Sequence, residues 1–504
     1  MSKPGPDESQ ESVKSSKSAK SVEAEGSGLL FNKSYLLFKI DLFVLSFVCL
    51  QYWINYVDRV GFINAYISGM QEALHLKDDD LNVTNTCFTV GYIIGMLPNN
   101  LLLLVLPPRI WLSFCTLSWG LLTLGMSQVH TFGGCCAIRF FQALFESCTF
   151  SGTHLILGSW YKESELPIRS AIFTSSGLVG SMFSGFMQVK IYNDLNGRYG
   201  MSGWRWLFVI DFCITCPIAL YGLLFFPGVP EKTTNGKNWL SMKRVIFTDQ
   251  ELQYARRRLP ARDESLRLDW SVVPRVFKKW HWYLFSFVWV LGGENLSFAS
   301  NSTFALWLHN QGYSLSHRNN YPSGIFAVGV LSTLLAAIYL SKYRKARHWH
   351  VAIFIAIAMC IVAIMIRTNP LSPSIMFTAQ YLGGIGYAGQ AVFFAWANVV
   401  CHEDLQERAI VLASMNMFSG AVNAWWSLVF FSASTAPHFE KGCYALLSTA
   451  IASGIVSIFI RKFQIGDYGR QEQLAYVDAN DIIEDYDDDN DGEEGERTHR
   501  STTV

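Results

Sequence analysis

The stretch Arg139-Phe-Phe-Gln-Ala-Leu-Phe-Glu146-Ser-Cys-Thr-Phe-Ser-Gly152 places an arginine and a glutamate inside an apolar run, residues 132–158, long enough to cross a bilayer. A charge at membrane depth is expensive and is usually kept for a function. At ~100° per residue, helix positions seven apart lie within ~20° of each other and ~10 Å apart along the axis. Arg139 and Glu146 therefore share one face. A second pair, Asp58-Arg59, closes the first apolar run. All four groups are candidates to line one central cavity, the arginines taking a carboxylate and the acids handling a proton.

Outward from that stretch, half of the 504 residues are hydrophobic and only 16% are charged, a low charge content for a soluble protein. The formal net charge is zero, which gives no bulk attraction to nucleic acid. Apolar runs of membrane length recur near 39–57, 83–105, 110–128, 132–158, 170–190 and 204–226, then near 281–308, 321–341, 349–367, 374–400, 409–432 and 442–461. The expected fold is an all-α integral membrane protein with twelve transmembrane helices in two six-helix bundles, 34–227 and 280–461. Such doubling is the arrangement of transporters built from internal repeats around a midplane site. A Ser, Lys, Glu and Gly-rich head, 1–33, is expected to be disordered, as is the tail, 462–504, whose stretch from Asp478 to Glu496 holds eleven acids and no base.

The connecting loop 228–279 carries twelve Lys and Arg residues, and 341–348 carries Lys342, Arg344, Lys345 and Arg347, whereas the connections of opposite parity carry few. The positive-inside rule puts those loops and both termini in the cytoplasm. Asn82-Val-Thr84 is a glycosylation sequon in the first outward loop, close to the membrane. Asn295-Leu-Ser and Asn301-Ser-Thr lie too deep for the modification. Trp204-Arg205-Trp206 and Trp280-His281-Trp282 read as interface anchors. The eleven cysteines are scattered, and Cys213-x-x-Cys216 reads as helix packing rather than a metal or redox motif. No metal is expected.

An arginine cannot shed its charge cheaply and presents a planar fork that matches a carboxylate. Arg59 and Arg139 both qualify as substrate anchors. The bland alternatives are a snorkelling Arg59 and a static Arg139–Glu146 ion pair. Glu146 is the leading proton carrier, because its protonation depends on which arginine is near it, and Asp58 can do the same further out. Glu294, in the second half, is a further intramembrane acid, set against the alternative of facing a watery vestibule. Tyr56, Tyr92, Gln390, Asn416 and Asn423 can hydrogen-bond a hydroxylated ligand, although helix packing uses the same residue types. His154 reads as a packed histidine before a relay. Gly177, Gly180 and Gly185, with Gly383, Gly384, Gly386 and Gly389, suit close helix approach. No P-loop, dinucleotide fingerprint, H-E-x-x-H or nucleophile elbow is present, which disfavours an ATP-driven pump and an enzyme.

The run from Arg139 through Glu146, with Gly158-Ser-Trp-Tyr-Lys-Glu-Ser-Glu-Leu-Pro-Ile-Arg169, Gly185-Phe-Met-Gln188 and Gly203-Trp-Arg-Trp-Leu-Phe208, resembles the fungal allantoate permease group, anion:cation symporters of the major facilitator superfamily. More narrowly, Lys39-Ile-Asp-Leu-Phe to Asp58-Arg59, Arg256-Arg-Arg-Leu-Pro-Ala-Arg-Asp-Glu-Ser265, Gly292-Gly-Glu-Asn295 and Asn416-Met-Phe-Ser-Gly-Ala-Val-Asn-Ala-Trp-Trp426 are similar to the group's pantothenate:proton symporter branch of the yeast plasma membrane. The resemblance implies alternating access between two six-helix bundles, with Arg59 and Arg139 binding the substrate carboxylate and Asp58 and Glu146 coupling it to a proton. It implies that Trp160, Glu165 and Arg169 serve an inner gate. The superfamily's usual acidic loop after the second span is replaced by Pro98-Asn-Asn100 through Pro107-Pro-Arg109. The function implied is import of pantothenate with a proton as coupling ion, by a monomer in the plasma membrane with lipid around it and no cofactor. The alternatives are another small carboxylated vitamin or ureide, such as biotin, nicotinate or allantoate, and a nutrient receptor that moves nothing.

Overall fold

Apolar side chains all around a helix can be accommodated only against lipid or other helices, and with no water to satisfy the backbone the chain closes its hydrogen bonds internally. The computed structural model of the chain does this throughout: it describes residues 33–76, 80–162, 164–230, 246–259, 272–296, 299, 303–313, 317, 321–343, 347–431 and 438–467, and no strand occurs among them. The head 1–32 and the tail beyond 467 lie outside the described residues, as do Asn301-Ser302 and the side chain of Asn82.

The first half consists of α1 (Ser34–Ala65), α2 (Asp80–Val105), α3 (Pro108–Met126), α4 (Phe132–Glu146), α5 (Thr149–Trp160), α6 (Leu166–Leu195) and α7 (Gly203–Phe225). Two short helices follow, α8 (Asp249–Arg257) and α9 (Val272–Phe277). The second half holds α10 (Trp280–Asn295), α11 (Thr303–Asn310), α12 (Ser323–Lys342), α13 (His348–Thr368), α14 (Pro373–Gly383), α15 (Tyr387–Val400), α16 (Leu405–Phe430) and α17 (Glu440–Asp467). Among the described residues these helices make twelve crossings, because α4 with α5, α10 with α11, and α14 with α15 are broken spans. The seventh, which its hydropathy makes one run over 281–308, ends its first helix at Asn295, where the Gly292-Gly293 pair and two polar side chains weaken the helix.

In the first half α1 lies along α6 and α7, and α2 along α4; in the second α10 lies along α16, and α15 touches α10, α12 and α13. The halves meet where α6 packs on α12 and α15, and where α2 and α5 pack on α16. Glycines set these distances. A Cβ at Gly177 would lie 2.6 Å from Tyr52, and one at Gly180 would lie 2.5 Å from the Trp53 carbonyl. Gly185 has nothing within 4 Å, so the close approach expected there is absent. Trp204 is 1% exposed, packed in a core with Phe62, Leu207 and Phe208, and is not the interface anchor its flanking motif suggests.

Candidate functional site

The break after Glu146 leaves carbonyls of the last α4 turn without helical donors. Asn99 of α2 supplies one of them: its Nδ2 donates to Leu144 O at 2.7 Å, and also to the Ser147 hydroxyl Oγ at 2.7 Å. Asn100 Nδ2 donates to Ser151 Oγ at 2.9 Å. Pro98, Asn99 and Asn100 are thus helix interior, and the connection after the second span starts only at Leu106. Gly91 and Gly95 bring the two helices together, since a Cβ at either would come within 2.3 Å of Phe140 O or 2.6 Å of Ser147 Oγ. Glu146 is thereby fixed at a helix end in the middle of the bundle.

Glu146 is fully buried, and its partner is Arg59, whose Nε lies 3.3 Å from Glu146 Oε2. The Arg139–Glu146 ion pair set out as an alternative is not formed. Arg139 Nη1 instead donates to Gln142 Oε1 at 3.2 Å, and its buried Nε has no hydrogen-bond partner. Phe88 lies between the two arginines, its ring centroid 4.2 Å from the Arg139 guanidinium and 5.2 Å from that of Arg59. Tyr92 flanks Arg59 at 4.6 Å, and Phe62 flanks Arg139 at 4.4 Å. The two cations differ in access: the Arg59 side chain is 28% exposed, whereas Arg139 is 4% exposed. Asp58 is buried on the same side, facing Glu146, Arg139 and a carboxyl that the sequence reading passed over, Asp211 of α7. Asn55, also missed, lies beside Glu146.

Polar groups continue from Arg59 into the second half. Gln390 of α15 donates to Tyr52 OH at 3.2 Å, and Tyr52 OH lies 3.3 Å from Tyr56 OH, whose ring flanks Arg59 at 5.8 Å. Tyr52 was not among the candidates, because an aromatic at a helix interface is ordinary. Of the remaining candidates, Glu294 is buried at the end of α10, Asn416 is half-buried and Asn423 is exposed on α16. His154 is a satisfied core histidine, 2.9 Å from Ser170 Oγ and 3.1 Å from Phe150 O.

A model of the Major Facilitator Superfamily matches residues 48–427, most of the chain. The chain belongs to that superfamily. Among its relatives, the pantothenate transporter FEN2 of Saccharomyces cerevisiae is 69% identical over 474 residues, 93% of this chain and 92% of its own length. The pantothenate transporter liz1 of Schizosaccharomyces pombe is 40% identical over 451 residues, 89% of this chain and 85% of its own. The vitamin H transporter of Saccharomyces cerevisiae is 27% identical over 418 residues, 81% of this chain and 68% of its own. The solved proton:xylose symporter XylE aligns with a TM-score of 0.64 at 12% identity over 86% of this chain and 97% of its own. The fucose:proton symporter FucP in its outward conformation aligns at 0.58 and 12%, over 82% and 98%. At that identity the two structures share the superfamily fold alone.

Alternating access in this superfamily fold needs contacts between the halves that form and break. At the end of the bundle where α5 and α16 meet, Arg408 Nη1 donates to Gly158 O at 3.1 Å and Nη2 to Ser159 Oγ at 3.1 Å. Gly158 has to be a glycine there, since a Cβ would lie 2.4 Å from Asn398 Oδ1 of α15. Trp160, Glu165 and Arg169, expected at an inner gate, make their contacts inside the first half and the segment after it. Trp160 Nε1 donates to Gly228 O at 2.6 Å, Arg258 Nη1 to Glu165 Oε1 at 3.2 Å, and Arg169 Nη2 to Asp41 Oδ2 at 2.9 Å. These contacts stay on one side of the seam between the halves, which Arg408 crosses. In the second half His281, Cys401 and Glu407 cluster closely enough to suggest a metal, but Lys279 Nζ already lies 2.5 Å from Glu407 Oε2 and supplies the cation.

Proposed function

We propose that the protein imports pantothenate together with a proton across the plasma membrane, by alternating access, with both termini in the cytoplasm. The observation that carries the reading is the Arg59–Glu146 pair: a guanidinium open to a ligand, held by a carboxylate sealed from solvent. The high identity to two pantothenate transporters supports the choice of substrate. Pantothenate has one carboxylate, an amide and two hydroxyls, which suits one accessible arginine beside the Tyr52, Tyr56, Tyr92 and Gln390 groups. The charge of the 228–279 loop supports the orientation.

The chemistry is a competition. When the substrate carboxylate takes the Arg59 fork, Glu146 loses its counter-charge in a medium that disfavours a bare carboxylate, and accepts a proton. By reciprocity a proton on Glu146 frees Arg59 for substrate. Uptake of a monoanion against a negative interior is opposed by roughly 2.3 kcal/mol per 100 mV, and one accompanying proton cancels that term. Arg139, sealed from solvent, holds the local potential positive rather than touching the ligand.

The test is labelled pantothenate uptake by a fungus lacking its own carrier. Glu146→Gln keeps exchange of internal for external pantothenate and loses accumulation; a variant that still concentrates the vitamin at wild-type rate contradicts the assignment. Biotin is the second reading, favoured by the vitamin H transporter among the relatives. Inclusion of biotin, nicotinate and allantoate as competitors decides among ligands, and binding without net uptake would indicate a receptor.

A further inference from the structure

Asp211 is the buried acid for which the Arg59–Glu146 exchange has no use. It is fully buried in α7, and its carboxyl meets that of Asp58, 2% exposed in α1, within hydrogen-bonding range. Among the described residues, no other residue donates to any of the four carboxyl oxygens. The approach depends on Gly61, one turn after Asp58, where a Cβ would stand 3.2 Å from Asp211 Oδ2. Two bare carboxylates cannot share a site closed to water; a proton between them gives each oxygen pair the hydrogen bond it otherwise lacks.

The surroundings provide the second half of a switch. Asp58 faces Arg139 and Glu146 of α4 as well as Asp211, while Asp211 faces Asp58 alone. Of the other helices packed here, α3 has Arg109 as its one Lys, Arg, Asp or Glu, at its far end, and the charged residues of α6 are Arg169, Lys190 and Asp194, all near its ends. Arg139 keeps a buried Nε–H without an acceptor. Three acids and two arginines make up the cluster, so one retained proton leaves it neutral.

We propose that Asp211 is a further proton-coupling residue, sharing one transported proton with Asp58, which gives it up when Asp58 turns from Asp211 to Arg139. The inference rests on the proton-coupled reading above and adds a second proton locus to Glu146. No bond other than O–H is made or broken: the proton passes from the carboxyl pair to water on the inner side, Asp58 then faces the Arg139 guanidinium, and Asp211 carries the cluster's remaining negative charge until a proton from the outer side restores the pair.

The experiment uses the full chain in cells and in proteoliposomes. Asp211→Asn, an isosteric amide, retains pantothenate exchange while steady-state accumulation falls at least about tenfold and the pH dependence of uptake flattens; Asp211→Glu restores both in part. Infrared difference spectra of the wild-type protein on adding pantothenate show a protonated-carboxyl band that is lost in Asp211→Asn. Wild-type accumulation and pH profile in Asp211→Asn, or absence of the band in the wild type, overturns the inference, and the spectrum decides should the variant fail to reach the membrane. Collapse of wild-type uptake by an uncoupler keeps the two readings separable: if that collapse occurs and Asp211→Asn behaves as wild type, only the carboxyl pair is wrong. If wild-type uptake ignores the uncoupler, proton coupling falls and the pair with it.

Discussion

Arg59 is held on its flank by Tyr56, Phe88 and Tyr92 and at its Nε by Glu146, and its side chain is 28% exposed. A lysine keeps the charge and loses both the stack and the paired donors. Arg59→Lys therefore raises the KM for pantothenate by roughly ten- to a hundredfold, the size of one charge-assisted hydrogen bond of about 1.5–3 kcal/mol, read from initial uptake rates with surface level as control; an unchanged KM would remove Arg59 from the ligand. The charges at this site were legible one by one, since Asp58, Arg59, Arg139 and Glu146 stand in apolar runs where a charge is conspicuous. Their pairing was not. Helix periodicity relates Arg139 to Glu146 on one face, but the contact that forms runs from α1 to α4 and depends on how the bundle sets two helices that are not neighbours in sequence. Asp211 obeys the same rule of a charge at depth, but its partner Asp58 stands on another helix, and nothing local in its own apolar run points to that pairing.

At the scale of helices, the break in the fourth span is what sets Glu146 beside Arg59, and the asparagines of α2 are what make the break tolerable. Asn99→Ala removes two interhelical hydrogen bonds, one to Leu144 O, which keeps Ser147 Oγ as a donor, and one to Ser147 Oγ. Interhelical bonds in membranes contribute about 0.6 kcal/mol on average and at most about 1.7, so losing two lowers stability by about 1–2 kcal/mol. The thermal midpoint of detergent-solubilised protein falls accordingly, while the KM of the folded fraction stays within about twofold of wild type; a midpoint equal to wild type would deny the asparagine this role. Hydropathy foretold where the spans lie, because burying a run of twenty apolar residues has few solutions. It was silent on breaks, since Ser147-Cys148 and Gly384 to Gly386 are as compatible with a continuous helix as with an interrupted one until neighbouring donors are in place.

Across the whole molecule, two six-helix bundles meet along α6 with α12 and α15, and along α2 and α5 with α16. Arg408 reaches over that seam to Gly158 and Ser159, at the opposite end of α5 from Glu146. The six-plus-six count was legible from spacing alone, whereas the seam was not, because nothing local in Leu405-Gln-Glu-Arg408 says that its arginine crosses to another bundle. The proposed substrate and proton sites sit in the first bundle, and the Gln390–Tyr52 bond ties them to the second, so on that proposal occupancy at Arg59 is placed to influence the seam. The most direct measurement is the pH of a weakly buffered suspension of starved cells expressing the protein, recorded as pantothenate is added. The account predicts a transient alkalinisation that tracks uptake and is absent in Glu146→Gln, although that variant still exchanges the vitamin; pantothenate accumulation with no accompanying proton entry would contradict it.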